Sequence, residues 1–370
     1  MKLLIVSVGS LVGQNILDVL DYPEFNRRKY VTVFGTNSVA ISANNFRCDQ
    51  CFLVPNTSNK EFLSAITTII KDVEPDLILC ARDEDTEVLW KLMDEHPELP
   101  GLMPYGNLNT VLFALDKWQT WKFTQKYNLP FAETFMLGES GSLDDLKEFC
   151  DRVSYPLIAK PVRGFASKGV FFVRNWEDAL IACEYEGYIL QEYLGEAGAN
   201  NKYFESFNRL VPLFSHAPNI YHYSCHTFVY PNGDISPVFI SQNMHDSGVT
   251  IGFSKVINEE LETLALKYAR ALWKEGGAGP VTIQFRKDRN GAWKAQEMNM
   301  RTNGNTFPRM LLGQDDLALI VNTFVPDAEF PEYKPPEEHE GAVFTKTLTA
   351  TPITRSQLNS LNNLKTWSRY

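Results

Sequence analysis

The stretch WKAQEMNMRTNG, residues 293–304, reads as a β-strand that places Glu297, Asn299 and Arg301 at alternate positions, with Met298 and Met300 between them. Alternate residues of a strand share a face, so one side shows a carboxylate, an amide and a guanidinium while the other shows thioethers. A solvated edge fits this pattern, and so does a metal and phosphate site. The preceding residues favour the second reading. GPVTIQFRKDRNGAWKAQEMNM, residues 279–300, runs strand, Asn290-Gly291, strand, and Asn-Gly signals a hairpin with a two-residue type I′ turn. That turn sets Arg289 opposite Ala292, Gln284 opposite Glu297 and Thr282 opposite Asn299. The amide oxygens of Gln284 and Asn299 would then flank the Glu297 carboxylate on one face. Such a set suits a hard divalent cation that takes oxygen ligands and completes its shell with substrate phosphates.

The composition is that of an ordinary globular chain: 370 residues, 44% hydrophobic and 22% charged. Its net charge of −10, with no basic run longer than Arg27-Arg28-Lys29, argues against a nucleic-acid or membrane-surface binder. An anionic ligand must be met by locally placed cations. The opening apolar run, Leu3 to Val8, is too short for a signal-peptide core or a membrane span, which gives the expectation of a cytoplasmic protein. Six cysteines are scattered at 48, 51, 80, 150, 183 and 225. The lone CxxC at Cys48 and Cys51 reads as packing in a loop-to-strand transition rather than as a zinc or redox site.

Along the N-terminal part, strand-like runs (Leu3–Val8, Val31–Thr36, Asp76–Cys80) alternate with helical ones (Gln14–Leu20, Glu61–Val73, Glu84–Met93), which implies a doubly wound parallel sheet. The first turn, GSLVGQN, has two glycines where a dinucleotide fingerprint has three, and no acidic residue ends the second strand, so the glycines read as packing devices. In ARDEDTE the charges sit where a strand end meets a helix start. Capping is the favoured reading, with Arg82 as the ligand-facing candidate. The proline- and glycine-rich segment 96–107 marks a connection to a new unit. The helix in LDKWQTWKFTQKYNLP, residues 115–130, is expected to be capped by Asp116 and to end at Asn128 and Pro130. YPLIAKPVRGFASKGVFFV, residues 155–173, reads as a hairpin whose polar loop can lay backbone N–H groups over phosphate oxygens while Lys160 supplies charge at its base.

In order, Lys117 in DK, Lys160 in AKP before a glycine loop, LQEYL at residues 190–194, and Gln284 followed by E-x-N-x-R at Glu297, Asn299 and Arg301 resemble the ATP-grasp superfamily. The Gln-then-Glu-x-Asn set is most similar to the carbamoyl phosphate synthetase large subunit and its carboxylate-amine ligase relatives. The resemblance covers residues 1 to about 325 and implies a mixed α/β and α+β chain. A Rossmann-like, doubly wound pre-ATP-grasp domain (1–110) would precede the two ATP-grasp subdomains, 111–190 with the phosphate-binding loop and 191–330 with the metal and substrate site. It further implies that Lys117 and Lys160 contact ATP phosphates, that the loop with Gly164, Ser167, Lys168 and Gly169 closes over them, and that Gln191, Glu192, Tyr193 and Leu194 border the nucleotide base. Gln284, Glu297 and Asn299 would hold Mg²⁺ or Mn²⁺, and Arg301 would sit beside the transferred phosphoryl group or the acyl intermediate. The loop has Phe165 and Ala166 where many relatives have glycine, and Gln284 stands where many have a carboxylate, which lowers the site charge by one.

The implied activity is ADP-forming ligation: ATP activates a small carboxylate as an acyl phosphate, which an amine or similar nucleophile attacks. A small-molecule kinase and a non-catalytic nucleotide-binding module on the same scaffold are the alternatives. The implied partners are small molecules, without nucleic acid or membrane, and a homodimer is an allowed assembly. Glu192 has the alternative reading of a surface strand end, and Arg301 that of a partner for Glu297 alone. Arg309 is a further catalytic candidate because a guanidinium matches a carboxylate bidentately. His245 and Asp246 are candidates for a base or substrate clamp. The aromatic alternation around His222, Cys225 and His226 fits a strand better than a zinc site. The residues from 331 onward are expected to form a final strand or two and a mobile end.

Overall fold

The computed structural model describes residues 1–164, 169–195, 221–246, 249–347 and 350–369. The chain opens with β1 (Lys2–Val6), α1 (Leu11–Asp21), β2 (Thr32–Asn37), β3 (Gln50–Leu53), α2 (Phe62–Val73), β4 (Leu77–Cys80) and α3 (Asp83–Glu95). β1 lies between β2 and β4 and pairs parallel with both. Leu3, Leu4, Ile5 and Val6 are fully buried, as the unbroken apolar run of a strand covered on both faces requires. Helix α1 begins three residues earlier than expected because the Ser10 hydroxyl accepts the Gly13 N–H and caps it. Gly13 is a packing residue: a Cβ there would lie 2.3 Å from the Val8 carbonyl oxygen.

Two helices, α4 (Leu108–Leu115) and α5 (Lys117–Lys126), lead into the antiparallel sheet of β5 (Thr134–Phe135), β6 (Leu157–Pro161), β7 (Phe171–Val173) and β8 (Tyr188–Glu192), with α6 (Leu143–Val153) and α7 (Trp176–Cys183) between its strands. Its order is β5-β8-β6-β7. Leu157, Ala159 and Leu190 turn into a core formed with the two helices, which leaves Ile158, Lys160 and Gln191 on the opposite face.

A six-stranded antiparallel sheet follows, built from β9 (Tyr221–Val229), β10 (Phe239–Asp246), β11 (Val249–Lys255), β12 (Gly279–Lys287), β13 (Trp293–Asn299) and β14 (Val343–Thr345), in the order β13-β12-β9-β10-β11-β14. Helix α8 (Glu259–Lys274) covers one face, where Val281, Ile283 and Phe285 pack with Leu261, Tyr268 and Leu272. Helices α9 (Thr306–Leu311) and α10 (Asp316–Phe324) carry the chain back to the first sheet. Among the described residues no helix is long and apolar enough to cross a membrane.

The C-terminal segment adds two short strands, to two different sheets. β14 extends the six-stranded sheet, whereas α11 (Arg355–Leu364), with a Thr354–Gln357 capping box, delivers β15 (Thr366–Ser368) to the first sheet. There β15 pairs antiparallel with β3, and Trp367 meets Phe46 edge to face at 5.3 Å. Strands of three residues carry no readable period, and the partner strand lies more than three hundred residues away.

The first and last parts are also joined by a buried ion pair. Arg27 and Asp315 are 0% and 1% exposed in their side chains. Asp315 also accepts the backbone N–H groups of Tyr333 and Ala318, and the Arg27 guanidinium lies over the Phe25 and Phe330 rings. Removing one partner of such a pair strands the other charge out of water. Arg27→Met is therefore expected to lower unfolding free energy by about 3–5 kcal/mol, read from denaturant unfolding, whereas exchanging Arg28, whose partner Asp49 is more exposed, should change it far less.

Candidate functional site

The β12–β13 hairpin reaches the expected pairing by an unexpected route. Its loop holds three residues rather than two: Asp288 N–H donates to the Ala292 carbonyl at 2.8 Å, and Gly291 N–H to the Asp288 carbonyl at 3.1 Å, with Gly291 at φ +84°. The Asp288 carboxylate accepts the N–H groups of Asn290 and Ala292, at 2.8 and 3.0 Å, and so selects this wider turn over the type I′ form. Arg289 consequently does not face Ala292, and the pairs next to the loop are Lys287–Trp293, Arg286–Lys294 and Phe285–Ala295. A bulge at Gln296 then restores the register, so Gln284 faces Glu297 and Thr282 faces Asn299. The two departures cancel.

Gln284, Glu297 and Asn299 thus share one face, with the Asn299 amide donating to Glu297 Oε1 at 3.3 Å. Thr282 is withdrawn from the site: its hydroxyl is engaged by His226 Nδ1 at 2.6 Å and by the Asn303 amide at 3.1 Å. Among the described residues no three His, Cys, Asp or Glu side chains converge as a metal site. The hairpin set consists of one carboxylate and two amides. These oxygen donors fit a hard cation whose remaining ligands are waters and phosphates, and do not fit one that requires a full protein cage.

Two lysines border the same cleft, which Asp83, Lys117, Gly164, Glu297 and Asn299 line. Asp116 caps α5 by accepting the Trp118 and Gln119 N–H groups, which sets Lys117 at the helix start, where its ammonium donates to the Gly164 carbonyl at 2.9 Å. Lys160 projects from β6 toward the bulge, its Nζ 3.4 Å from the Gln296 carbonyl oxygen. Burial, and then the Lys117 charge, bring the Lys160 pKa down to about 7, with Glu297 acting in the opposite sense. Gly169 has φ +71°, and a Cβ there would lie 2.8 Å from the Tyr188 hydroxyl. Ser167 and Lys168, with Phe165 and Ala166, lie outside the described residues.

Arg301 is not a partner for Glu297 alone. Its Nε and Nη2 grip the two oxygens of Asp83, the second at 2.9 Å, and Nη1 donates to the Thr302 carbonyl at 3.1 Å. Burial acts to weaken the guanidinium's hold on its proton, but Asp83 and then Glu297 more than offset it. The member of ARDEDTE that lines the cleft is Asp83, while Arg82, the candidate from the sequence, turns to Thr57 and Asp85. Nothing local in the sequence pairs Asp83 with a residue 218 positions away.

On the sheet face that carries Lys160, Gln191 donates to the Thr134 hydroxyl at 3.0 Å. Glu192 is not a surface strand end: it is 6% exposed and accepts from Lys294 Nζ at 2.8 Å and from Glu133 N–H at 3.1 Å. Tyr193 and Leu194 are buried beside it, and Tyr193 neighbours Arg286. Arg309 also departs from expectation. It is 2% exposed, and its guanidinium is committed to Asp316, Asn303 and Thr306, so the carboxylate it anchors belongs to its own chain. Asp316 in turn meets His226 Nε2 at 2.6 Å. The His226 and Asp316 roles were not legible in the sequence, where His226 reads as a packing group.

His222 and His245 lie with ring centroids 3.8 Å apart and planes tilted by 33°, and Thr250 Oγ1 meets His245 Nε2 at 2.9 Å. Burial, followed by the Arg286 charge, holds the His245 pKa down at about 4, so the ring is neutral at pH 7. The Asp246 side chain lies outside the described residues. Cys225 points into the opposite, apolar core. Cys48 and Cys51 are buried free thiols, and neither CxxC nor His222–His226 belongs to a metal cluster among the described residues.

The Lys160 shift has a consequence for stability. Its folded pKa, about 7, lies below its ordinary value of 10.5, so between these values the unfolded chain binds more protons and stability rises with pH. The fold loses this contribution as pH falls from 10.5 toward 7, below which both states hold the proton and the slope vanishes. Lys160→Met is expected to flatten the rise in melting temperature between pH 7 and 10 and to melt higher than wild type at pH 7, as differential scanning calorimetry across that range will read.

No family model matches the chain, and no curated protein matches it by sequence. Solved structures do resemble it. An N5-carboxyaminoimidazole ribonucleotide synthetase in its ADP complex superposes with a TM-score of 0.63 at 14% identity, over 90% of this chain and 78% of that one. Biotin carboxylase from Campylobacter jejuni, in a β-γ-ATP complex, gives 0.62 at 16% identity over 91% and 72%, and the L-amino acid ligase from Bacillus licheniformis gives 0.59 at 15% over 90% and 77%. At these identities the likeness is one of fold. With its mostly parallel first sheet followed by two antiparallel sheets that face each other across Lys160 and Glu297, the chain has the ATP-grasp fold expected from its ordered lysine, glutamate and asparagine motifs.

Proposed function

We propose that the protein is an ADP-forming ligase that activates a small carboxylate with ATP and joins it to an amine or similar nucleophile. The observation that carries this reading is the convergence of Lys117, Lys160 and Arg301 on the face that holds Gln284, Glu297 and Asn299. Like-charged oxygens must approach one another when a carboxylate attacks a terminal phosphate, and in such reactions positioning and charge supply most of the rate. Lys117 and Lys160 would offset the charge of the phosphates. Arg301 would face the transferred phosphoryl group and then the oxyanion formed as the nucleophile adds. Glu297, with the Gln284 and Asn299 amides, would hold Mg²⁺ or Mn²⁺, which when bound supplies further charge neutralisation at the phosphates. Glu192 to Leu194 would border the base. No serine or cysteine nucleophile is required.

Release of ADP and phosphate is expected only when a carboxylate and an acceptor are both supplied, with Glu297→Gln reducing turnover by at least about 100-fold while leaving the circular dichroism spectrum and melting temperature near those of wild type. Full activity in that variant would sink the assignment. Mass spectrometry of the product separates the ligase from a kinase, since a kinase leaves a stable phosphorylated compound with no condensation. Nucleotide binding without turnover across carboxylate and amine panels would favour the regulatory alternative.

Lys160 supplies a second test. At pH 8 a lysine with a pKa of about 7 is largely neutral, and polyphosphate placed beside it raises that pKa. Binding of Mg·ADP at pH 8 is expected to take up a proton, seen as calorimetric enthalpies that depend on the buffer's ionisation heat, and Lys160→Met should remove that uptake.

A further inference from the structure

Asp83 is the first residue of α3, directly beyond the carboxyl end of β4, where open α/β sheets present ligand-facing groups. Its carboxylate is favoured there by the helix dipole, and both of its oxygens accept from Arg301. We infer that Asp83 is a positioning residue for Arg301, so that the N-terminal sheet takes part in the reaction and does not serve only as a scaffold. The inference rests on the ligase reading and adds a component to it.

The geometry favours a fixed arrangement over a loose surface pair. A bidentate contact sets the plane of a guanidinium as well as its charge. The Arg301 and Asp83 side chains are 14% and 25% exposed, so water screens the pair less than it would on an open surface. Two Arg301 nitrogens are held by Asp83 and the third by the Thr302 carbonyl. Of its five N–H groups, one on each terminal nitrogen therefore remains for a ligand. Asp83 lines the cleft with Lys117, Glu297 and Asn299. Although burial works to raise its pKa, Arg301 and then Lys117 hold the carboxyl below its usual range, so one carboxylate balances two cations of the cleft.

One turn along the same helix, Glu87 offers a contrast. It pairs with Arg163 at 2.5 Å and Lys91 at 2.7 Å, but Arg163 and Lys91 are each 52% exposed. Pairs of this kind contribute little. Glu87→Gln thus reports any general disturbance of α3.

The test compares Mg·ATP with Mg·ADP affinity by calorimetry on the full chain, because an arginine that faces the terminal phosphoryl group distinguishes the two nucleotides. Asp83→Asn is expected to weaken Mg·ATP roughly tenfold and to leave Mg·ADP within about twofold. Asp83→Glu should recover part of the loss. The double variant Asp83→Asn/Arg301→Met should bind Mg·ATP no more weakly than Arg301→Met alone, since groups acting as one unit are not additive. Glu87→Gln should leave both affinities within about twofold of wild type, and thermal melts establish that each variant is folded. Equal weakening of both nucleotides in Asp83→Asn, no change in either, or additive losses in the double variant would overturn the positioning role while leaving nucleotide binding intact. A wild-type chain that binds neither nucleotide would overturn the ligase reading, and this inference with it.

Discussion

The face that carries Gln284, Glu297 and Asn299 depends on one compensated register. A one-residue slip between paired strands turns every side chain to the other side of the sheet. Without the bulge at Gln296, the three-residue loop at 289–291 would bring Glu297 and Asn299 into the apolar core and Met298 into the cleft. With it, Ile283, Met298 and Met300 stay buried in the second core while the oxygen donors face outward. The bulge also frees the Gln296 carbonyl for Lys160, so one local irregularity both orients the hairpin and tethers the opposing sheet.

Charge is arranged around that face with little excess. The chain is acidic as a whole, but its cleft gathers cations, each with a specific restraint: Lys117 on a backbone carbonyl, Lys160 beside the bulge and lowered in pKa, Arg301 on Asp83. A polyphosphate ligand would meet donors already held in place, which limits the ordering entropy lost on binding.

Beside Asn299 on the same face runs a closed ring of hydrogen bonds, most of them buried. Asp316 joins His226, His226 joins Thr282, Thr282 accepts from Asn303, Asn303 accepts from Arg309, and Arg309 returns to Asp316. A neutral His226 that donates from Nε2 and accepts at Nδ1 satisfies every link, in keeping with burial and the Arg309 charge lowering its pKa. Buried polar groups are tolerable when each has its partner. The ring ties β9 and β12 to the start of α10, and accounts for Arg309 without a substrate carboxylate.

The sequence by itself determined the parts whose evidence is local. The parallel first sheet follows from apolar runs alternating with helical periods, the Asp116 cap from residue type, and the Gln284–Glu297 hairpin from two strands around a turn. Even the bulge left a trace: the apolar positions of WKAQEMNM run 293 and 295, then 298 and 300, a change of phase that a strict two-residue alternation does not allow. Only the tertiary structure decided which turn Asp288 would select, that Asp83 would hold Arg301, that Arg309 would be held by Asp316, and that the last strand would return to the first sheet. Period and cap are written in neighbouring residues, whereas a guanidinium's partner depends on which distant carboxylate the packed elements bring within hydrogen-bonding reach.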